Sequence, residues 1–308
     1  MSIALVALAL ATAAPEPPPE PPPESQGAGW QLAWSDEFDG PRIDPAKWGF
    51  EQDCWGGGND ERQCYTRSRR NAAIAGGALV ITARRERISG PSLPPALRGG
   101  AAPEPVTRDF SSARLTTRGK AAWQYGRIEV RAQLPQGQGT WPAIWMLPET
   151  DAYGPWAASG EIDILETVNL GVPCKDCPGG REDRILGTLH FGGKWPANRQ
   201  AGAEQHHPAV LDGFHVFAIE WTPQVITWFV DGQPYARRQA HEWSTTGSAN
   251  PGAPFDKPFH LVLNLAIGGR LPEGRGLGGV AADGYPRQML VDWVRVWQRP
   301  APKASEVD

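Results

Sequence analysis

The sequence has little of what marks several large classes of protein. It contains no apolar run long enough to cross a bilayer, no helical heptads and no internal repeat of fixed period. Its 30 basic and 34 acidic residues leave a net charge of −4 without a basic block. These absences argue against a membrane-spanning protein, a coiled coil, a solenoid and a nucleic-acid partner.

The first 28 residues differ in composition from the rest of the chain. A short apolar stretch over residues 2–13 ends in an Ala-x-Ala site, although no Lys or Arg lies near its start. We interpret residues 1–14 as a signal peptide and expect a secreted or periplasmic protein. The Pro/Glu-rich stretch that follows, over residues 15–28, predicts an extended spacer without a core.

The four cysteines occur as two local pairs. Cys54 and Cys64 bracket a Gly-rich loop, and Cys174 and Cys177 form a Cys-x-x-Cys in another loop. In an exported protein this arrangement favours two local disulfides. A four-cysteine zinc site is the alternative, but the usual pair of Cys-x-x-Cys motifs is missing.

From Trp30 onward the chain consists of short strand patterns separated by Gly and Pro. An Asp231-Gly232 turn signal joins two of these patterns as a hairpin. Many strands with almost no helical period predict an all-β sandwich of two sheets, with one domain over residues 29–299 and a disordered tail over 300–308. Strands are expected at residues 79–83, 125–132, 226–230, 235–237, 261–267 and 291–297.

The segment Glu161-Ile162-Asp163-Ile164-Leu165-Glu166 sets three carboxylates in an aliphatic run. Strand alternation puts Glu161 and Asp163 on one face, and a β-bulge near Ile164 and Leu165 would bring Glu166 onto it. Two carboxylates that flank a sugar bond are what glycoside hydrolysis needs. A solvated acidic face is the alternative. The fourteen tryptophans suit either a core or a sugar-stacking cleft.

At this point the chain resembles glycoside hydrolase family 16, and within it the laminarinase-like endo-β-1,3-glucanases. The resemblance implies a jelly roll of two curved antiparallel sheets with a concave substrate cleft. It also implies a retaining double displacement with Glu161 as nucleophile, Asp163 as its helper and Glu166 as general acid/base. The matching stretches are residues 34–38, 58–61, 125–127, 139–147, 160–166, 188–190, 220–221, 263–269 and 291–296.

The resemblance also implies substrate-binding residues near the catalytic strand. Trp156 matches a position that stacks on a sugar beside the cleaved bond, and His190 matches one that lines the cleft. Trp141 and Trp145 are four residues apart, so alternation puts both on one face. Trp141 is expected in the cleft, whereas Trp145 is left open between cleft and core.

Four polar residues are further candidates for sugar contacts, each with a structural alternative. Asn59 and Glu61 lie in the loop between Cys54 and Cys64, where they bind sugar hydroxyls or cap the loop itself. Arg114 matches a sugar-contacting arginine, with a surface salt bridge as the alternative. Asn264 lies in a buried run and requires a hydrogen-bond partner, which is either sugar or protein.

Members of this family often bind one structural calcium away from the cleft. Glu37 and Asp292 occupy the matching regions, and backbone carbonyls around Gly77 would complete an oxygen shell. The alternative for Asp292 is an ordinary exposed carboxylate. No cofactor is expected for catalysis, because retaining glycoside chemistry needs no cation.

The resulting prediction is a monomeric, retaining endo-hydrolase of β-1,3-glucan with no membrane span in the mature chain. The alternatives are a same-fold hydrolase or transglycosylase acting on mixed-linkage glucan, agar or carrageenan, and a non-catalytic β-glucan-binding protein. The bulged spacing disfavours the lichenase pattern Glu-x-Asp-x-Glu, and both glutamates are present, unlike in the binding proteins. Two loops, at residues 89–104 and 174–180, leave endo or exo action open.

Overall fold

A computed structural model describes residues 29–98 and 103–299 of the chain. The signal peptide, spacer and tail assigned from the sequence to residues 1–28 and 300–308 lie outside the described residues. The strands are β1 Gln31–Asp36, β2 Gly49–Phe50, β3 Gln63–Tyr65, β4 Ala72–Ala75, β5 Ala78–Pro91, β6 Pro105–Ser112, β7 Arg114–Thr116, β8 Gly126–Gln133, β9 Thr140–Pro148, β10 Glu161–Glu166, β11 Arg184–Gly192, β12 Asn198–His206, β13 His215–Trp221, β14 Val225–Val230, β15 Gln233–Gln239, β16 Phe259–Ile267 and β17 Arg287–Gln298.

The strands form two sheets, which confirms the all-β prediction. The ten-stranded sheet runs β15-β14-β13-β8-β17-β5-β6-β3, with β1 added at β17 and β4 at β5. The seven-stranded sheet runs β12-β11-β10-β9-β16-β7-β2. Pairing is antiparallel except between β3 and β6. Helical structure in the described residues is limited to four short 3₁₀ turns and α1, Arg270–Gly274, and none of these helices could span a membrane.

Every strand expected from the sequence is present, although the structure extends several of them. The Asp231-Gly232 turn joins β14 to β15, and both turn residues have positive φ, as a tight two-residue hairpin requires. β16 lies inside the seven-stranded sheet between β9 and β7, and all nine of its residues are buried. The apolar pattern of this segment therefore predicted its central place correctly.

The tryptophans are found both in the core and on the surface. Seven of the fourteen tryptophans are buried, and Trp48, Trp221 and Trp228 are among the largest fully buried side chains. Trp156 and Trp195 are instead exposed, at 37% and 73%. The core between the sheets is thus packed with indole rings that also carry a hydrogen-bond donor, a property that matters behind the catalytic strand.

Both local cysteine pairs are disulfides, as expected, with bonds between Cys54 and Cys64 and between Cys174 and Cys177. The loop expected at residues 89–104, called the excursion here, begins within the end of β5, which pairs with β6. This end of β5 contacts the first disulfide loop. The Cys54 amide donates to the Pro91 carbonyl at 2.7 Å, and the Arg108 guanidinium donates to the Cys54 carbonyl at 3.1 Å. Pro91 of the excursion and Arg108 of β6 therefore hold the disulfide loop at Cys54.

Candidate active site

The catalytic strand β10 contains the bulge that the sequence predicted. Against β9, Asp163 pairs with Trp145 and Leu165 pairs with the residue before Trp145, so Ile164 is the extra residue. Glu166 then pairs with Ala143. Because Ala143 is two positions from Trp145, Glu166 lies on the face that carries Asp163. We call this side of the seven-stranded sheet the cleft face.

His190 joins two of the carboxylates. It pairs directly with Glu161 across β10 and β11. Its Nε2 lies 3.2 Å from Asp163 Oδ2 and 3.7 Å from Glu161 Oε1. The imidazole thus supplies positive charge between Glu161 and Asp163.

Each glutamate accepts a hydrogen bond from a tryptophan. Trp141 Nε1 donates to Glu166 Oε1 at 2.9 Å, and Trp156 Nε1 donates to Glu161 Oε2 at 2.9 Å. Trp156 lies in a 3₁₀ turn just before β10, and its ring is 5.7 Å from that of His190. The two rings predicted to face sugar therefore also fix the carboxyl groups.

The electrostatics favour one ionised and one protonated glutamate near neutral pH. Burial, with the negative charge of Asp163, raises the pKa of Glu161 to about 7 and that of Glu166 to about 8. Burial alone would lower the pKa of His190, but Asp163 and the two glutamates raise it to about 9. Glu166 is thus the better proton donor and Glu161 the better anion.

Trp145, Asn264 and Arg114 form a connected group on the cleft face beside the carboxylates. Trp145 Nε1 donates to Asn264 Oδ1 at 2.7 Å, and Asn264 Nδ2 donates to the Tyr65 hydroxyl at 3.0 Å. The Arg114 guanidinium lies 4.5 Å from the centroid of the Trp145 ring and 3.2 Å from Glu51. Asn264 thus has protein partners, and Arg114 forms a partly buried salt bridge with Glu51. Sugar contacts by these residues stay a prediction.

The loop residues Asn59 and Glu61 interact with protein groups. Glu61 is buried, and its Oε2 accepts hydrogen bonds from Gln63 Nε2 at 2.7 Å and from the Tyr65 hydroxyl at 3.3 Å. Asn59 contributes a further hydrogen bond, and burial raises the Glu61 pKa. These are the loop-capping contacts that the sequence left as the alternative, and sugar binding here is untested.

The side chains at the expected calcium site are occupied by other partners. Glu37 Oε2 lies 2.8 Å from Arg295, and Asp292 forms an ion pair with Arg131. Gly77 lies in the turn between β4 and β5. Because an arginine neutralises each carboxylate, these side chains as arranged do not fit a calcium cage. The calcium prediction itself is untested.

Several residues of this site carry no signal in the sequence. Gln63 and Tyr65 organise the loop next to the cleft, and Trp228 donates from the opposite sheet to the backbone carbonyl of Asp163 at 2.7 Å. The sequence showed only that these residues are aromatic or polar and lie in strand patterns. Contacts between residues so far apart in sequence depend on the packing of the two sheets.

The model of glycosyl hydrolases family 16 matches residues 63–295 of the chain, a span that includes the bulged strand and both indole-bonded glutamates. The chain belongs to this family. The match confirms the resemblance stated from the sequence, and the two-sheet fold agrees with it.

Similar proteins and structures align with most of the chain. A β-glucanase of Rhodothermus marinus is 42% identical over 87% of this chain and 85% of its own length. A glucan endo-1,3-β-glucosidase of Cryptopygus antarcticus is 39% identical over 87% of this chain and 92% of its own. The X-ray structure of the Rhodothermus marinus laminarinase has a TM-score of 0.69, covering 87% of this chain and 97% of that one.

Proposed function

We propose that this family 16 enzyme is a retaining endo-hydrolase of β-1,3-glucan. The observation that carries the proposal is the bulge in β10, which sets Glu166 on the face of Glu161 and Asp163. The relatives named above as β-glucanase, endo-1,3-β-glucosidase and laminarinase support the choice of substrate. Residues 1–14 and the two disulfides support export to an oxidising compartment.

The reaction proceeds in two displacements. In the first, a Glu161 carboxylate oxygen bonds to the anomeric carbon while Glu166 gives its proton to the leaving glycosidic oxygen. In the second, Glu166 takes a proton from water, and the water oxygen displaces Glu161 from the anomeric carbon. Asp163 and His190 lie beside Glu161, where their charges influence its ionisation.

The roles can be tested with Glu161→Ala and Glu166→Ala and an aryl laminaribioside whose leaving group needs no acid. We expect each variant to lose on the order of 10²–10⁴-fold of its laminarin activity. Azide should rescue Glu161→Ala as the α-glycosyl azide, because azide enters from the vacated nucleophile side. It should rescue Glu166→Ala as the β-azide, because azide attacks the glycosyl-enzyme. Full activity of Glu161→Ala on laminarin contradicts the mechanism.

Substrate and mode of attack require a separate measurement on the parent protein. Products from laminarin, lichenan, agarose and carrageenan are compared at early times. The proposal expects a mixture of laminarin oligosaccharides, because an endo-enzyme cuts within the chain. Release of a single short product points to exo action, and a preference for agarose or carrageenan rejects β-1,3-glucan as the substrate.

A further inference from the structure

The bulge in β10 interrupts the backbone ladder at the peptide that follows Asp163. The register with β9 shifts between Asp163 and Leu165, and the register with β11 shifts between Asp163 and Glu166. A bulge disrupts local pairing, and a buried carbonyl that lacks a donor costs free energy. A further donor from outside the sheet therefore stabilises the backbone at this irregular point.

Trp228 of β14 supplies this donor from the ten-stranded sheet. Its indole Nε1 donates to the Asp163 carbonyl at 2.7 Å, across 65 positions of sequence. The Trp228 side chain is fully buried, so water does not compete for the bond. The hydrogen bond thus connects the two sheets at the one irregular point of the catalytic strand.

Gly187 of β11 makes room for the indole. A Cβ atom at this position would lie 2.5 Å from Trp228 Cδ1 and 2.7 Å from its Nε1. Its neighbours along β11, Leu186 and Thr188, are the residues that pair with Glu166 and Asp163. A glycine therefore lies beside the bulge, where any side chain would clash with the indole and, at 2.6 Å, with the hydroxyl of Tyr235.

We infer that Trp228, seated by Gly187, is a positioning residue that holds the β10 bulge and so directs Glu166 toward the scissile bond. The inference rests on the proposed function, in which Glu166 is the general acid/base. Without the indole donor, the bulged arrangement loses a buried hydrogen bond to the Asp163 carbonyl. Small displacements of a catalytic group cost large factors in rate.

The test compares Trp228→Phe with Trp221→Phe. Trp221 is equally buried and donates to a backbone carbonyl, that of Phe255 at 3.1 Å, but it has no bond to β10. Both variants lose one core indole and one such hydrogen bond, so their Tm values should fall similarly. Trp228→Phe should lower kcat on laminarin at least about tenfold with a small change in KM. Trp221→Phe should keep kcat within about twofold.

A pH profile and amide exchange separate positioning from simple destabilisation. In Trp228→Phe the basic limb of kcat/KM should move, and amides of the 161–166 peptide should exchange faster than in Trp221→Phe. Equal kcat, pH profile and exchange in the two variants overturn the inference. Amide exchange does not depend on turnover. If the parent is inactive on laminarin, the proposed function is rejected, and the exchange comparison still tests whether Trp228 holds the bulge.

Gly187→Ala provides a second variant in case Trp228→Phe does not fold. It retains the indole but forces it to move, because the added Cβ meets Trp228 Cδ1. The expected result is again a lower kcat and faster exchange of the 161–166 amides. A folded Gly187→Ala protein with parental kcat and parental exchange contradicts the inference.

Discussion

At the scale of single residues, two indole bonds partly offset the burial that raises the pKa of each glutamate. Trp156 donates to Glu161 and Trp141 donates to Glu166, so each bond favours the ionised form of its partner. Strand alternation and the family resemblance predicted that these rings lie in the cleft. The direction of their N–H groups depends on side-chain rotamers, which the sequence does not reveal.

Removing the two donors should change the pH profile in opposite ways. Both bonds lower the pKa of the accepting glutamate. With the bonds in place, the pKa of Glu161 is about 7 and that of Glu166 is about 8. Trp156→Phe should raise the Glu161 pKa and move the acidic limb of kcat/KM upward, which narrows the profile. Trp141→Phe should raise the Glu166 pKa and move the basic limb upward, which widens it. Shifts of the same limb in both variants contradict the assigned roles.

The buried acid should also make the fold less stable at alkaline pH. The Glu166 pKa is about 8 in the folded protein, against an ordinary value of 4.5. The folded state therefore holds its proton longer than the unfolded state does, and its stability falls as pH rises from 4.5 toward 8. Glu166→Gln removes this cost, so its Tm should exceed that of the parent by a margin that grows from about pH 4.5 to about pH 8 and then levels off.

The control for this comparison is Glu104→Gln, which changes an exposed carboxylate just before β6. Its Tm should follow that of the parent across the same pH range. Differential scanning calorimetry of the three proteins provides the measurement. If the Tm gain of Glu166→Gln does not grow with pH, the pKa of Glu166 is not raised in the folded protein.

At the scale of elements, the first disulfide loop should matter more for stability than the second. Cys54 and Cys64 are 10 residues apart, whereas Cys174 and Cys177 are 3 apart. A longer closed loop restricts the unfolded chain more, by roughly 1 kcal/mol for this difference. The first loop also carries Glu61, whose hydrogen bonds extend toward the cleft.

The double variants Cys54→Ser/Cys64→Ser and Cys174→Ser/Cys177→Ser test this order. We expect the first to lower Tm more and to raise KM for laminarin, because the loop beside the cleft loses its closure. The second serves as its matched control and should leave KM near the parental value. The reverse order of Tm losses contradicts the argument from loop length.

The catalytic strand shows what the sequence of an element can predict. Glu166 has the wrong parity for a regular strand, and this single mismatch sufficed to predict the bulge. The partner of the bulge could not be predicted, because Trp228 lies 65 residues away and belongs to the other sheet. Local periodicity predicts which face a residue occupies, whereas contacts across the core depend on how two sheets pack.

At the scale of the whole molecule, the sequence predicted the two-sheet architecture and its strands. Period-2 alternation and turn residues are local features, so they can be recognised in the sequence without knowledge of the fold. The polar candidates Asn59, Glu61 and Asn264 show the limit of this approach. Their sequence context allowed sugar or protein partners, and the structure shows protein partners in β3 for Glu61 and in β9 for Asn264.

The calcium expectation can also be tested on the whole protein. Since arginines already pair with Glu37 and Asp292, we expect Tm to change little between EDTA and excess calcium. The kcat on laminarin should be the same in both, because the proposed displacement uses only carboxyl groups and water. A large rise in Tm with calcium would show that the carboxylates leave their arginines and bind the ion.

The indole bonds to the two glutamates have a practical consequence for redesign. A protein engineer who replaces either ring to accept a different polymer will also retune the acidity at which the enzyme operates. A substitution at either position therefore changes substrate selectivity and the pH range of activity together. Libraries aimed at selectivity alone are better directed at side chains that make no bond to Glu161 or Glu166.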